Sequence, residues 1–299
     1  MTIFKPTYCG LWLTDFDGTI NPDGDDPVTL VDREALKRLK KLGWFRAVVT
    51  GRSLFGFAKA WDQGLEFDAL IFSSGAGFCD WTNMGPGPLK SARTFKKDDA
   101  FSILKAAIAL GYGFFAYHAP PDNHHCYFQR PASPPSGFDQ RLAIYNIQSH
   151  QWSDDYFQAE SPLPLSQVMI MVPAPAADQV EARINRLAPG LSVVRSTSPF
   201  GDGCLWLEIY PPGVNKGLAA AALAASLNLD PAHCVALGND YNDQKMLDWA
   251  GRAFITADAP QELMGRYQVI PPAGCGGLAW ALETVLNSGD LEAVPPSVQ

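Results

Sequence analysis

Leu11-Trp12-Leu13-Thr14-Asp15-Phe16-Asp17-Gly18-Thr19 is an apolar run that ends at two carboxylates flanking a phenylalanine. Such a run reads as a buried strand, with the acidic residues at its carboxyl end. In open parallel sheets the ligand crevice lies beyond the carboxyl ends of the strands, so Asp15 and Asp17 stand where chemistry is expected. Side chains alternate along extended backbone, so the two carboxylates point the same way with one residue between them. Two carboxylates so placed can hold a divalent metal, or one can attack while the other moves a proton. A calcium loop of the EF-hand kind does not fit, because it needs a preceding helix and a glycine at its sixth position, where this chain has Ile20.

Outward from this strand the chain alternates at the pace of an α/β protein. Asp32 to Leu42 places Ala35, Leu36, Leu39 and Leu42 on one helical face and stops at Gly43. Phe45 to Val49 reads as a second strand, Ser53 to Trp61 as a helix, and Ala69 to Phe72 as a third strand running into Ser73-Ser74-Gly75. A βαβαβ unit implies a parallel sheet with right-handed crossovers. From about Cys79 to Cys204 the rhythm breaks into proline clusters and short aromatic or β-branched runs, with helical patterns at Asp98 to Ala109 and Ala177 to Leu187. This stretch reads as an α+β insert with an antiparallel sheet. The α/β rhythm returns with Leu205 to Tyr210, Lys216 to Leu227, Cys234 to Leu237, Asp243 to Ala250 and Ala253 to Thr256. The expected organisation is a discontinuous Rossmann-like core, residues 1–79 and 208–299, carrying an inserted α+β domain of residues 80–207. The proline-containing tail from about Asn287 is expected to fray.

At 299 residues the chain passes the size at which a single hydrophobic core stops growing, roughly 250 to 300 residues, so two packed units are expected. No stretch approaches the roughly 20 uncharged apolar residues of a membrane span, and Met1 to Gly10 lacks the basic-then-apolar pattern of an export signal. Six scattered cysteines form neither a zinc spacing nor a disulfide framework, which reads as a reducing cytoplasm. A net charge of -8 argues against binding nucleic acid through its phosphates. It also means that an anionic substrate needs local positive charge, from a metal or from a few placed basic residues.

Three further segments supply such groups. Thr50-Gly51-Arg52 follows the second strand and opens a helix, combining a hydroxyl, a permissive glycine and free amides in a seat for phosphate oxygens. Lys216, in Pro212-Gly213-Val214-Asn215-Lys216-Gly217, stands at a helix start, where a cation is unfavourable unless it has another partner. A carboxylate facing a phosphate dianion costs about 4 kcal/mol per unit-charge repulsion at about 4 Å, which Lys216 and a metal can offset. Gly238-Asn239-Asp240-Tyr241-Asn242-Asp243 gathers oxygen ligands at another strand end, as magnesium prefers.

In this order and at these strand ends, the four segments resemble the four signature motifs of the haloacid dehalogenase superfamily. The likeness covers roughly residues 8 to 80 and 205 to 285, and the insert's position resembles a type IIB cap. Leu207-Glu208-Ile209 through Gly217, and Ala259 to Leu263, are similar to the Cof-like and sucrose-phosphatase-like branch. The resemblance implies a magnesium-dependent phosphatase acting on a small phosphate ester, a sugar phosphate foremost. Asp15 would attack phosphorus and bind magnesium. Asp17 would protonate the leaving oxygen, activate water, and ligate the metal through its carbonyl. Thr50 and Lys216 would hold phosphoryl oxygens, with Gly51 and Arg52 beside them. Asp243 would anchor the metal, directly or through water, and Asn242 would support the phosphate. One departure stands out: the family's first aspartate of the fourth motif is here Asn239, so either its amide oxygen or Asp240 takes that place.

In the insert, His118, His124, Arg130 and Asp202 are polar candidates for contact with the leaving group. The spacing of His118, His124, His125 and Cys126 matches no closed zinc site. Phe114, Phe115, Tyr117, Tyr127 and Phe128 read as core of the insert before a sugar-stacking platform. The expected partner is a small-molecule substrate, with no nucleic acid and no membrane, and the chain is expected to act as monomer or homodimer. Two rival readings remain, a sugar phosphomutase with the same aspartyl-phosphate and a catalytically silent ligand-binding protein.

Overall fold

The computed structural model describes residues 8–22, 27–144, 149–153, 155 and 164–288; of the tail expected to fray from about Asn287, Asn287 still ends a helix and everything past residue 288 lies outside the described residues. The chain divides into two compact units. One takes its described residues from 1–51, 60–90 and 216–299, the other from 52–59 and 91–215. In chain order come β1 (Gly10–Thr14), β2 (Trp44–Val49), β3 (Ala69–Phe72), β4 (Gly77–Thr82) and β5 (Gly85–Ala92). Next are β6 (Phe114–His118), β7 (Cys126–Gln129), β8 (Ser149–Gln151), β9 (Leu165–Pro173), β10 (Ser192–Thr197) and β11 (Cys204–Tyr210). β12 (Cys234–Gly238), β13 (Arg252–Thr256) and β14 (Gln268–Ile270) complete the series.

The first unit is built on one sheet in the order β14-β13-β12-β1-β2-β3-β4-β5. Its strands from β14 to β3 run parallel, and β4 turns back antiparallel to β3. β1, β2, β3 and β12 are buried at every residue, as strands must be when both faces of a parallel sheet are covered. Leu11, Leu13, Ala47, Val49, Ala236 and Ile255 pack with Leu223, Met246 and Leu263 in one of its cores. Arg46 lies within β2 and is buried, yet its guanidinium is satisfied. Nε and Nη2 donate to the two oxygens of Asp68 at 2.9 and 2.7 Å, and Nη1 donates to the carbonyls of Leu36 and Glu66.

The helix Leu30–Lys41 begins at Thr29, whose hydroxyl accepts from the Asp32 amide at 3.2 Å. Asp32 is itself buried, and its Oδ1 accepts from Ala279 N at 2.9 Å, in the first turn of the helix Gly277–Asn287. One carboxylate therefore meets the free amides at the start of a neighbouring helix as well as its own cap.

The second unit holds a sheet of order β10-β11-β9-β6-β7-β8, antiparallel except for the β7–β8 pair. Strand alternation sorts its apolar residues onto two faces. Phe114, Ala116, Val168, Ile170, Leu207 and Ile209 pack with the helices Lys97–Ala109 and Ala177–Leu187. Phe115, Tyr117, Met169 and Met171 face the other way, with Phe138 of the helix Ser136–Ile144. The aromatic run of β6 is thus core on both sides of the sheet.

Two expected boundaries are corrected. Leu205 to Tyr210 belongs to the second unit, not the core: β11 lies between β9 and β10, with Leu207 opposite both Ile170 and Arg195. The core also runs past residue 79, because β4 and β5 continue its sheet as a β-hairpin and its edge. Both errors have one cause: composition marks a strand, whereas pairing partners decide which sheet it joins. Residues 52–59 also pack with the second unit, where Phe55 stacks on His124 at 4.3 Å between ring centres. Among the described residues no helix is long and apolar enough to cross a membrane.

Candidate active site

β1 delivers Asp15 beyond its last residue, and the chain then turns within five residues. The amides of Thr19, Ile20 and Asn21 converge on the Phe16 carbonyl, and Gly18 N donates to Asn21 O at 2.9 Å. The turn requires φ +68° at Gly18, and a Cβ there would stand 2.1 Å from the Asn239 side-chain amide, so only glycine fits. Thr19, quoted in the motif but given no role, points back at the site: its hydroxyl donates to Asp15 Oδ2 at 3.2 Å.

Lys216 opens the helix Lys216–Ser226 and is wholly buried. Its Nζ donates at 2.6 Å to Asp15 Oδ1, at 2.6 Å to Asp243 Oδ1, and at 3.3 Å to Asn242 Oδ1. Asp243 Oδ2 accepts the backbone amides of Asn239 and Asp240 at 2.9 and 3.1 Å, so both of its oxygens are engaged by protein donors. Asp240 caps the short turn Tyr241–Asp243 by accepting from Tyr241 N at 2.8 Å. Asp243 therefore holds the loop and the lysine. Asn239, not Asp240, faces Asp15: one end of its amide lies 3.1 Å from Asp15 Oδ2 and 3.2 Å from the Asp17 carbonyl oxygen.

The charges in this pocket do not cancel. Asp15, Asp243 and Lys216 are each at most 4% exposed and sum to one negative charge before Asp17 is counted. Burial pushes the Asp15 carboxyl above its usual range, the charge of Asp243 adds to this, and Lys216 pulls the other way without winning. Burial lowers the Lys216 ammonium, but the charges of Asp15 and Asp243 outweigh it and leave its pKa raised. A further cation would balance such a site.

Magnesium meets that need chemically. Among the described residues no three His, Cys, Asp or Glu side chains gather to hold a metal. The donor set here is mixed, comprising a carboxylate oxygen, a main-chain carbonyl and one end of an amide. Their 3.1–3.2 Å separations match the spacing of about 3 Å between neighbouring oxygens of an octahedron with bonds of 2.0–2.1 Å.

Thr50 is wholly buried at the end of β2, with its amide on Ile71 O and its carbonyl accepting Ser74 N at 3.0 Å. Gly51 lies beside it, where a Cβ would meet Asn242 Nδ2 and Ser74 Oγ, both at 3.8 Å. Arg52 is grouped with the second unit, its Nη1 donating to Gly56 O at 3.5 Å. Ser74, whose Oγ lies beside Gly51, and its neighbour Ser73 were not among the expected site residues. Both hold left-handed φ, 48° and 53°, strain of roughly 1–3 kcal/mol each that clusters at functional sites. The sequence signal was a polar Ser-Ser-Gly step directly after an apolar strand.

In the second unit the polar candidates divide. Arg130 pairs with Asp139, and Asp202 accepts the amides of Gly137 and Cys204 at 3.2 and 3.1 Å, so both serve the unit's own structure. His118, His124 and His125 form a row of rings extended by Phe55 and Tyr127.

Residues 12–273 match the haloacid dehalogenase-like hydrolase family. An HMP-PP phosphatase of Cronobacter sakazakii is 40% identical over 68 residues, 23% of this chain, so the chain spans a quarter (25%) of that relative's length. A Haemophilus influenzae protein is 24% identical over 275 residues, covering 90% of this chain and 95% of its own. The solved structure of BT4131, described as a subclass IIB sugar phosphatase, shares the fold with a TM-score of 0.70 at 14% identity, over 92% of this chain and 98% of that one. With its parallel core, its inserted α+β unit and a match over residues 12–273, the chain belongs to the haloacid dehalogenase-like hydrolases.

Proposed function

We propose that the protein is a magnesium-dependent phosphatase of small phosphorylated metabolites, sugar phosphates foremost, acting in the cytoplasm through an aspartyl-phosphate on Asp15. The observation that carries this reading is the buried contact of Lys216 Nζ with Asp15 Oδ1 and Asp243 Oδ1, both at 2.6 Å. Lys216 fixes positive charge beside the proposed nucleophile, where burial leaves it little screened by solvent, and this supports the approach of an anionic phosphoryl group once a metal offsets the remaining negative charge.

Lys216 and Thr19 orient the Asp15 carboxylate, one on each oxygen. Asp15 attacks phosphorus, the ester P–O bond breaks, and Asp17 gives a proton to the leaving oxygen. Asp17 then takes a proton from a water that attacks the aspartyl-phosphate, releasing inorganic phosphate and restoring Asp15. Thr50, Gly51 and Asn242 line the seat of the phosphoryl oxygens. Asp15 Oδ2, the Asp17 carbonyl and Asn239 would hold magnesium, which supplies charge to the phosphoryl oxygens when bound. The second unit, with Arg52, sets the choice of leaving group.

Hydrolysis of p-nitrophenyl phosphate in magnesium, set beside Asp15→Asn, tests the reaction: activity that survives the substitution sinks the assignment. A panel of sugar phosphates and HMP-PP, ranked by kcat/KM, tests the substrate class, and a uniform ranking rejects the sugar preference.

A further inference from the structure

Asn239 occupies a position with two chemically different ends. The amide end nearest Asp15 is 3.1 Å from Asp15 Oδ2 and 3.2 Å from the Asp17 carbonyl, and both ends of the amide are satisfied together when that end is the nitrogen, because the other end faces donors. Both neighbours are acceptors, so an amide oxygen in the same place would face two oxygens with no proton between them. Thr19 stands against the same end at 3.3 Å, and its hydroxyl can donate or accept. It also donates to Asp15 Oδ2, which makes it an adaptor to either orientation.

On the reading that this pocket takes magnesium, we infer that Asn239 is a two-position residue that stands in for the metal when the metal is absent. With its nitrogen inward, the amide bridges Asp15 Oδ2 and the Asp17 carbonyl, the two groups that a cation would join. With its oxygen inward, it completes the ligand set, and ligation to the metal offsets the hydrogen bonds given up at both ends of the amide. An aspartate at this position has no such choice: without metal it adds a carboxylate to Asp15, Asp17 and Asp243, and with metal it binds at once. The chain therefore trades magnesium affinity for a pocket that holds its shape without the ion. Gly18 leaves the amide its space, since a Cβ there would clash with the end of the amide away from Asp15, at 2.1 Å. Neither step makes or breaks a covalent bond, because the amide rotates about its Cβ–Cγ bond and two hydrogen bonds give way to metal ligation.

The test uses the full-length protein stripped with EDTA, with magnesium chloride as the probe. Wild type and Asn239→Asp are compared by thermal melting without metal, by melting with excess magnesium, and by calorimetric titration. The metal-free variant should melt below wild type, magnesium should raise it by the larger increment, and its Kd for magnesium should be at least about tenfold tighter, since ligand charge tunes affinity. Equal Kd values, or a metal-free variant that melts at or above wild type, overturn the inference. If Asn239→Asp does not fold without metal, the wild type alone decides by NMR. The Asn239 side-chain amide protons should exchange slowly in EDTA and faster in magnesium, and fast exchange in EDTA overturns it. None of these readouts needs turnover. Loss of phosphatase activity in the wild type would count against the proposed function while leaving this result intact, and the reverse holds equally.

Discussion

Lys216 Nζ donates to Asp15 Oδ1 at 2.6 Å across 201 positions of sequence, and neither side chain has appreciable contact with water. Replacing Lys216 with methionine keeps the volume but leaves Asp15 and Asp243 buried without a counter-charge. The expected cost is about 3–5 kcal/mol of stability, together with a fall of at least about a hundredfold in kcat/KM. Urea unfolding and a steady-state assay check the two arms separately. Lys216→Arg should not rescue activity, because a planar fork cannot replace a compact ammonium between two carboxylates.

Asp15→Asn should separate stability from activity. The wild-type carboxylate is held above its usual pKa by burial, so removing the charge relieves an unfavourable burial while Lys216 keeps Asp243. Hydrolysis should vanish, whereas the metal-free protein should melt no lower than wild type and gain about 1 kcal/mol. A fall in the melting temperature would show that Asp15 is needed by the fold.

Asp32→Ala addresses the fold without touching the site. It removes the acceptor of Ala279 N and the hydrogen bond from the Thr29 hydroxyl, so two helix starts lose a partner. The expected loss is about 2–3 kcal/mol, with KM unchanged in the assay.

A pH effect is expected in the second unit. Burial, with the charges of His125, His150 and His124 adding and Asp122 opposing, pushes the His118 imidazole down to about 4. In the unfolded chain it takes a proton near its ordinary value of about 6.5. Between those values the unfolded state binds more protons, so stability is intact above about pH 6.5 and is lost as the pH falls towards about 4. His118 is partly exposed, which limits the effect to about 1–2 kcal/mol. Urea unfolding at pH 7 and pH 4.5 should show a smaller difference for His118→Gln than for wild type.

Where composition and period carry the information, the structure was legible in the sequence. Ala69 to Phe72 and Ala177 to Leu187 fall where the pattern puts them, and the Asp15, Lys216 and Asp243 segments meet at the ends of one parallel sheet. Less legible was anything decided by partners distant in sequence. Leu205 to Tyr210 is as apolar as a core strand, yet β9 and β10 claim it. The Ser73-Ser74-Gly75 step is visible in the sequence, but nothing in it announces that both serines, and not the glycine alone, hold left-handed φ. The choice between Asn239 and Asp240 rested on which side chain capped its own loop, which only the folded backbone shows.

The placing of β1 between β2 and β12 has a consequence for biosynthesis. A ribosome releases Leu11 to Thr14 more than 200 residues before their partners Cys234 to Leu237 exist. Until then the central strand of the core has one bare edge, and Asp15 lacks the lysine that neutralises it. The inserted unit, whose sheet pairs only within residues 114–210, can fold on the emerging chain in the meantime. The core closes last, so the Asp15–Lys216 contact and the pairing of β1 with β12 form only after residues 216 to 238 have left the exit tunnel.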